Sequence, residues 1–260
     1  MANFKSIVKT AGLGVALAAA GQAQANVNVG GVVWNPGSLF DFSSNGNVIE
    51  TDVNAIGDTL TGFGKITNLN GTGQAAFCPG CELTLEFSYT LTGVADSNLN
   101  SILGDAGDSL AFSMNYVNFY VDSTTAYDPN NDASAKDGAL WLALAGHSTS
   151  ASSGLTGDLH SAITAGSLGG TNEEGNGYGY ADVIGGSAVG NFDTNGQDFG
   201  SDLFFTSSFH NLPNGPTNQG YPKFGSLDIS GKTVPEPASL ALIGAGLLGA
   251  GAMRRRKTSA

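Results

Sequence analysis

The clearest periodic stretch of the chain is ELTLEFSYTL, residues 82–91, where Leu83, Leu85, Phe87, Tyr89 and Leu91 alternate with Glu82, Thr84, Glu86, Ser88 and Thr90. A period of two places the first set on one face of a strand and the second on the other, which predicts a half-buried strand with one wet face. SLAFSMNYVNFYVD, 109–122, repeats the pattern with a slip. Leu110, Phe112, Met114 and Tyr116 share a face, then the apolar set moves to Val117, Phe119 and Val121, so a bulge is expected near Tyr116. Shorter apolar segments at Val27–Trp34, Gly62–Ile66, Ala139–Ala145, Asp182–Phe192, Leu203–Phe209 and Ser226–Ile229 add strands, separated by clusters of Gly, Asn, Asp and Pro. Ser148 to Gly179, rich in Gly, Ser and Thr, reads as a long loop carrying at most one strand around Leu155–Ile163. No convincing amphipathic helix appears and no fixed repeat is found. The expected fold is all-β: one β-sandwich or jelly-roll-like domain over residues 26–231, flanked by a signal helix and a single C-terminal transmembrane helix.

Composition supports the strands. Glycine is 39 of 260 residues while Lys, Glu and Arg are scarce, which disfavours long exposed helices. Charge is distributed unevenly. Residues 26–237 hold four lysines, Lys65, Lys136, Lys223 and Lys232, against all 22 acids, a balance of −18. Such a surface repels phosphate backbones and attracts cations, so nucleic acid is excluded as a partner.

The two ends read as addresses. A basic start with Lys5 and Lys9, an apolar run AGLGVALAAA at 11–20 and a small-residue A-x-A at Ala23 and Ala25 form the three parts of a secretory signal, residues 1–25, with cleavage expected after Ala25. At the other end Ala238–Met253 is uncharged but about 24 Å long as a helix, short of the ~30 Å hydrocarbon core, and so a marginal anchor. Arg254, Arg255, Arg256 and Lys257 act as the stop signal that stays cytoplasmic, which places the domain across the membrane, the side the N-terminal signal also implies. GAGLLG at 244–249 fits a dinucleotide fingerprint in letters only, since no strand precedes it.

Val234-Pro235-Glu236-Pro237, the apolar segment and the terminal basic cluster together resemble the PEP-CTERM sorting signal of Gram-negative bacteria that make extracellular polysaccharide, over residues 232–257. The resemblance implies transient anchoring in the inner membrane and recognition of the Pro-Glu-Pro region by an exosortase, a membrane-embedded cysteine transpeptidase. Removal of the tail and release or attachment at the cell surface or in the extracellular matrix would follow. Physically, the two prolines hold this stretch extended and exclude a helix start before Ala238.

Candidate chemistry within the domain is sparse. Cys78 and Cys81, in CPGC, are the only cysteines, and in an exported chain they are expected to form a disulfide that fixes the turn into the Glu82 strand. A redox C-x-x-C would sit at a helix N-terminus, and zinc would need further ligands. Calcium is the one cofactor the sequence suggests. Asp128, Asn130, Asp132 and Asp137 in one loop, and Asp193, Asn195, Asp198 and Asp202 in another, offer alternate oxygen side chains, though neither completes an EF-hand and hairpin turns need the same residues. Among the histidines, His147 lies in GHSTS, which fails as a nucleophile elbow because Ser150 replaces the final glycine. Trp34, Trp141, Tyr178 and Tyr180 are aromatics able to stack on sugars; Trp141 belongs rather in a core, and Tyr178 and Tyr180, in a Gly-rich loop, are the better surface candidates.

The sequence therefore leads to a secreted, non-catalytic surface or matrix protein of the exopolysaccharide layer, in a biofilm or floc, with extracellular polysaccharide as partner. A calcium-assisted carbohydrate-binding module and an extracellular hydrolase are the alternatives.

Overall fold

The computed structural model describes residues 26–211 and 220–234, and in it Val27–Val234 form one compact unit. Among these described residues fourteen strands follow in chain order. They are β1 (Val27–Val29), β2 (Val32–Trp34), β3 (Phe42–Glu50), β4 (Thr59–Leu69), β5 (Thr72–Gly73), β6 (Glu82–Ala95), β7 (Ser109–Asp122), β8 (Ala139–Gly146), β9 (Thr149–Ser150), β10 (Thr156–Gly157), β11 (Leu159–Ala165), β12 (Glu174–Gly185), β13 (Leu203–Asn211) and β14 (Lys223–Gly231). Among the described residues helix is confined to single turns such as Gln74–Phe77 and Val189–Phe192. Among the described residues no helix is long and apolar enough to cross a membrane. Ala23, Ala25, Pro235, Glu236, Pro237 and the Arg254–Lys257 cluster lie outside the described residues, as do the segments expected to form the signal and tail helices.

The architecture corrects the sandwich expectation. Antiparallel pairing runs β11-β12-β13-β14-β3-β4-β6-β7, and β7 then pairs back onto β11, so the sheet closes into an eight-stave barrel with neighbours mostly consecutive in sequence. Closure leaves the ring without free edges, whereas a sandwich would keep four. One stave is split. β11 pairs with the first part of β7, Ser109–Phe112, and β8 with the later part, Val117–Val121. Both also pair with β12, so β8 and β11 lie end to end in the same gap, and residues 147–158 loop out between them carrying the β9–β10 hairpin.

Asp158 seals the junction. It is buried, and its carboxylate accepts a hydrogen bond from the Met114 amide at 2.7 Å and from the Ser113 and Ser148 hydroxyls. Met114 falls where β7 has left β11 and not yet reached β8, beside the register shift that makes Asn115 the extra residue of a bulge, in agreement with the phase slip in the sequence.

The interior is filled by the alternating residues of β6, all of Leu83, Leu85, Phe87, Tyr89 and Leu91 being buried, together with Phe112, Phe119, Leu144, Leu203, Phe205 and Ile229 from other staves. Large rings fit because glycine faces them. Gly62 pairs directly with Phe87, Gly175 with Phe209 and Gly179 with Phe205, and a Cβ on any of the three would fall within about 2.5 Å of the ring. Small residues opposite large ones are what a narrow barrel needs. At the end where the chain leaves the ring, the β1–β2 hairpin closes it over a cluster of Trp34, Phe42, Trp141 and Phe192, and the Trp141 indole N–H donates to Val29 O at 3.0 Å. Trp34 is thus a core residue, not a surface aromatic.

The outer face of β6 is drier than its polar residues suggest. Residues 123–138 fold back over it and over β4: Lys65 pairs with Glu82 at 2.6 Å, Glu82 also accepts the Tyr127 amide, and Ile49, Phe63 and Ala135 form a second small core with Tyr127, Tyr221 and Phe224. Glu82, Thr84 and Ser88 are consequently buried.

Candidate functional site

The stretch expected to be a loop around Tyr178 is strand β12, and its alternation sorts glycine inward and polar or aromatic residues outward. Gly175, Gly177 and Gly179 face the interior; Asn176, Tyr178, Tyr180 and Asp182 face out. Register continues this outer face across three more staves. Tyr180 pairs with Phe204, Tyr178 with Thr206 and Asn176 with Ser208 on β13; these in turn face Ser230, Asp228 and Ser226 on β14, then Ser43, Asn45 and Asn47 on β3. The result is a broad strip of hydroxyls and amides around the single carboxylate of Asp228, with no lysine or arginine in those positions, bordered by aromatic rings.

The rings adjoin. Tyr180 lies 5.2 Å from Phe204, 5.1 Å from Phe199 and 6.5 Å from Tyr178, between ring centroids. Tyr178 is 40% exposed and Phe199 69%, while Tyr180 is covered by its neighbours. Phe199 has φ of 61°, a left-handed backbone that costs a bulky residue roughly 1–2 kcal/mol. Holding an exposed aromatic in that conformation is the kind of local strain that points to use. At the end of β12, Asp182 meets His147 Nδ1 at 2.9 Å. His160, the neighbour of Tyr178 on β11, is buried under the β9–β10 hairpin with Nε2 against Thr149.

The acidic loops serve the backbone. Asp202 is buried and accepts N–H bonds from Val183 at 2.8 Å, Thr194 at 2.7 Å and Asn195 at 2.6 Å, so its carboxylate ties the 193–202 loop to β12. Asp193, Asn195 and Asp198 are exposed along that loop. In 128–138, Asp128 accepts from the Asn130 amide at 2.9 Å, Asp132 pairs with Lys136, and Asp137 is exposed. Among the described residues no group of three or more His, Cys, Asp or Glu side chains is placed to hold a metal ion. A third loop, missed in the sequence, is more heavily bonded: Asp108 is fully buried and accepts the Ser97, Gly104 and Asp105 amides. Its signal was Asp96, Asn98 and Asn100 at every second position.

Cys78 and Cys81 form a disulfide with Cα atoms 5.0 Å apart. The pair follows the Gln74–Phe77 helical turn at its C-terminal end, and Phe77 and Cys78 are buried, so the bridge fixes the entry to β6.

After β14 the chain stays bonded to the barrel for three more residues. Thr194 Oγ1 donates to Lys232 O at 3.2 Å. The Thr233 amide and hydroxyl donate to the two carboxylate oxygens of Asp41, at 2.9 and 2.5 Å, and the Trp34 indole N–H donates to Thr233 Oγ1 at 3.3 Å. The Val234 amide donates to Asn191 O at 2.8 Å. Thr233 is buried, and Pro235 is the next residue but one.

The family model of the PEP-CTERM protein-sorting motif matches residues 233–257. Among curated proteins and among solved structures, none matches the chain. The chain thus carries the sorting motif the sequence resembled, which implies a secreted, membrane-anchored precursor processed by an exosortase and sorted to the cell surface.

Proposed function

We propose that the barrel is a non-catalytic component of the extracellular matrix that holds neutral polysaccharide on the outer face of β12–β13–β14–β3, with its N-terminal 25 residues removed on export. The observation that carries this reading is the aromatic border of that face: Tyr178, Tyr180, Phe199 and Phe204 beside a strip of Ser, Thr and Asn. Sugar rings present C–H faces to aromatic rings and hydroxyls to amides and hydroxyls, and a face of both kinds meets both needs. The charge balance of −18 over residues 26–237 disfavours polyanionic chains, which is why the ligand is taken as neutral. The sorting motif adds location, since it delivers the barrel to where such polymers lie.

Titration of the mature barrel with the organism's own extracellular polysaccharide tests the reading, with Tyr178→Ala and Phe199→Ala as controls. Exposed stacking residues removed singly should weaken binding by about 5- to 30-fold, in keeping with about 1–2 kcal/mol per ring. Equal binding by wild type and both variants, or none by wild type, would contradict it. Release of reducing ends during incubation would instead favour the hydrolase.

A further inference from the structure

The barrel holds the chain through Val234, the residue just before Pro235 of the sorting motif. Enzymes that process peptides take them as extended strands and pair with main-chain N–H and C=O groups on both sides of the bond they act on. Pro235 and Pro237 have no N–H to offer. The nearest donors on the upstream side are Val234 and Thr233, and both are already given to the barrel, one to Asn191 O and the other to Asp41. The Thr233 side chain is equally engaged, held between Asp41 and the Trp34 indole, and the residue is only 7% exposed.

Asp41 is itself fixed. Its backbone has φ of 58°, its carbonyl accepts the Asn70 side-chain amide at 2.8 Å, and its amide donates to Ser38 O at 3.1 Å. The latch is therefore built from one end of the barrel, and chain 232–234 is docked along it.

We propose that this latch is a brake on tail removal: the folded barrel withholds the residues upstream of Pro-Glu-Pro from the exosortase until Thr233 leaves Asp41. Asp41, Thr233 and Trp34 are then positioning residues for processing. The inference rests on the reading of the tail as an exosortase substrate, and it adds that the rate of processing is set by the barrel end as well as by the motif. A barrel that holds its tail when folded and yields it on local opening spends longer tethered at the membrane.

Pulse-chase of the full-length precursor, in host cells with and without exosortase, measures the rate of tail loss. Two kinds of variant separate latch from stability. Asp41→Ala and Thr233→Val weaken the latch, and a Gly-Ser-Gly-Ser spacer inserted between Val234 and Pro235 leaves every latch bond in place while freeing chain next to the motif. Each should speed processing several-fold, and Asp41→Ala combined with the spacer should add nothing further. Hydrogen exchange at the Thr233 and Val234 amides should be slow in the wild type and the spacer variant and fast in Asp41→Ala. Exosortase-dependent processing of the wild type with the spacer variant no faster would overturn the brake. Tail loss that does not depend on exosortase would overturn the processing reading itself.

Discussion

Glu50 is the residue least at home in its surroundings. It ends β3 pointing into the barrel and borders two interior cavities of about 50 and 30 Å³. Burial pushes its carboxyl up to about 7, against the pull of Lys223 and with the repulsion of Glu173. Lys223 is buried with it, bonded to Glu173 at 2.7 Å and 3.2 Å from Asp52. Lys223 already faces Glu173 and the partly exposed Asp52, so an ionised Glu50 would add a further negative charge with no cation of its own in an apolar space. The consequence for stability has a definite sign. Below pH 4.5 Glu50 is protonated in both the folded and the unfolded chain, and its contribution is fully present; from there to about 7 the unfolded chain gives up the proton while the barrel keeps it, so stability falls. The shift corresponds to about 3 kcal/mol lost by pH 8. Glu50→Gln should flatten this part of the profile and melt higher than wild type at pH 8, as read by thermal unfolding across pH 4–8. Parallel profiles for the two proteins would show that Glu50 does not titrate this way.

The split stave shows what an element owes to a single side chain. Neither β8 nor β11 spans the barrel wall, and the Met114 amide between them would have no strand to bond to without Asp158. Leaving a buried donor unsatisfied costs about 1–3 kcal/mol. Asp158→Ala should lower the unfolding free energy from urea titration by that much, with a correspondingly lower midpoint, and speed exchange at the Met114 amide, whereas Asp158→Asn, which keeps an acceptor oxygen, should lose less. An unchanged midpoint in Asp158→Ala would mean that the junction is held by other bonds. Elements also show where sequence reading succeeds. β6 was legible because five large apolar residues occupy its inward positions, and the β7 bulge was legible as a change of phase. The disulfide followed from having only two cysteines, closely spaced, in an exported chain. β3 shows no apolar alternation because FSSNGNVIE places Ser44 and Gly46 inward, and β12 reads partly as loop because three of its inward residues are glycine. At the β12 glycines the space is filled by Phe205 and Phe209 of β13, so the missing hydrophobic signal lies on another strand; at Gly46 of β3 the backbone of β4 itself comes close. The outward aromatic face was half visible, as Tyr178 and Tyr180, but Phe204 and Phe199 join it through register and a turn that no local pattern reveals.

At the scale of the molecule, sandwich and barrel share the same local alternation and differ only in which strands meet, which is why closure of β7 onto β11 was not legible. The C-terminal address was legible because it is a linear signal that a processing enzyme reads without a fold. Together the pieces describe an acidic barrel that carries a cell-surface sorting motif and one wide outward face of aromatic and polar residues. The most direct test is the intact mass of the protein recovered from envelope and culture medium. The account predicts a chain that starts at Asn26 and has lost Arg254–Lys257 in exosortase-bearing cells, with the tail retained when exosortase is absent. Exported protein that still carries Arg254–Lys257 in exosortase-bearing cells would contradict it.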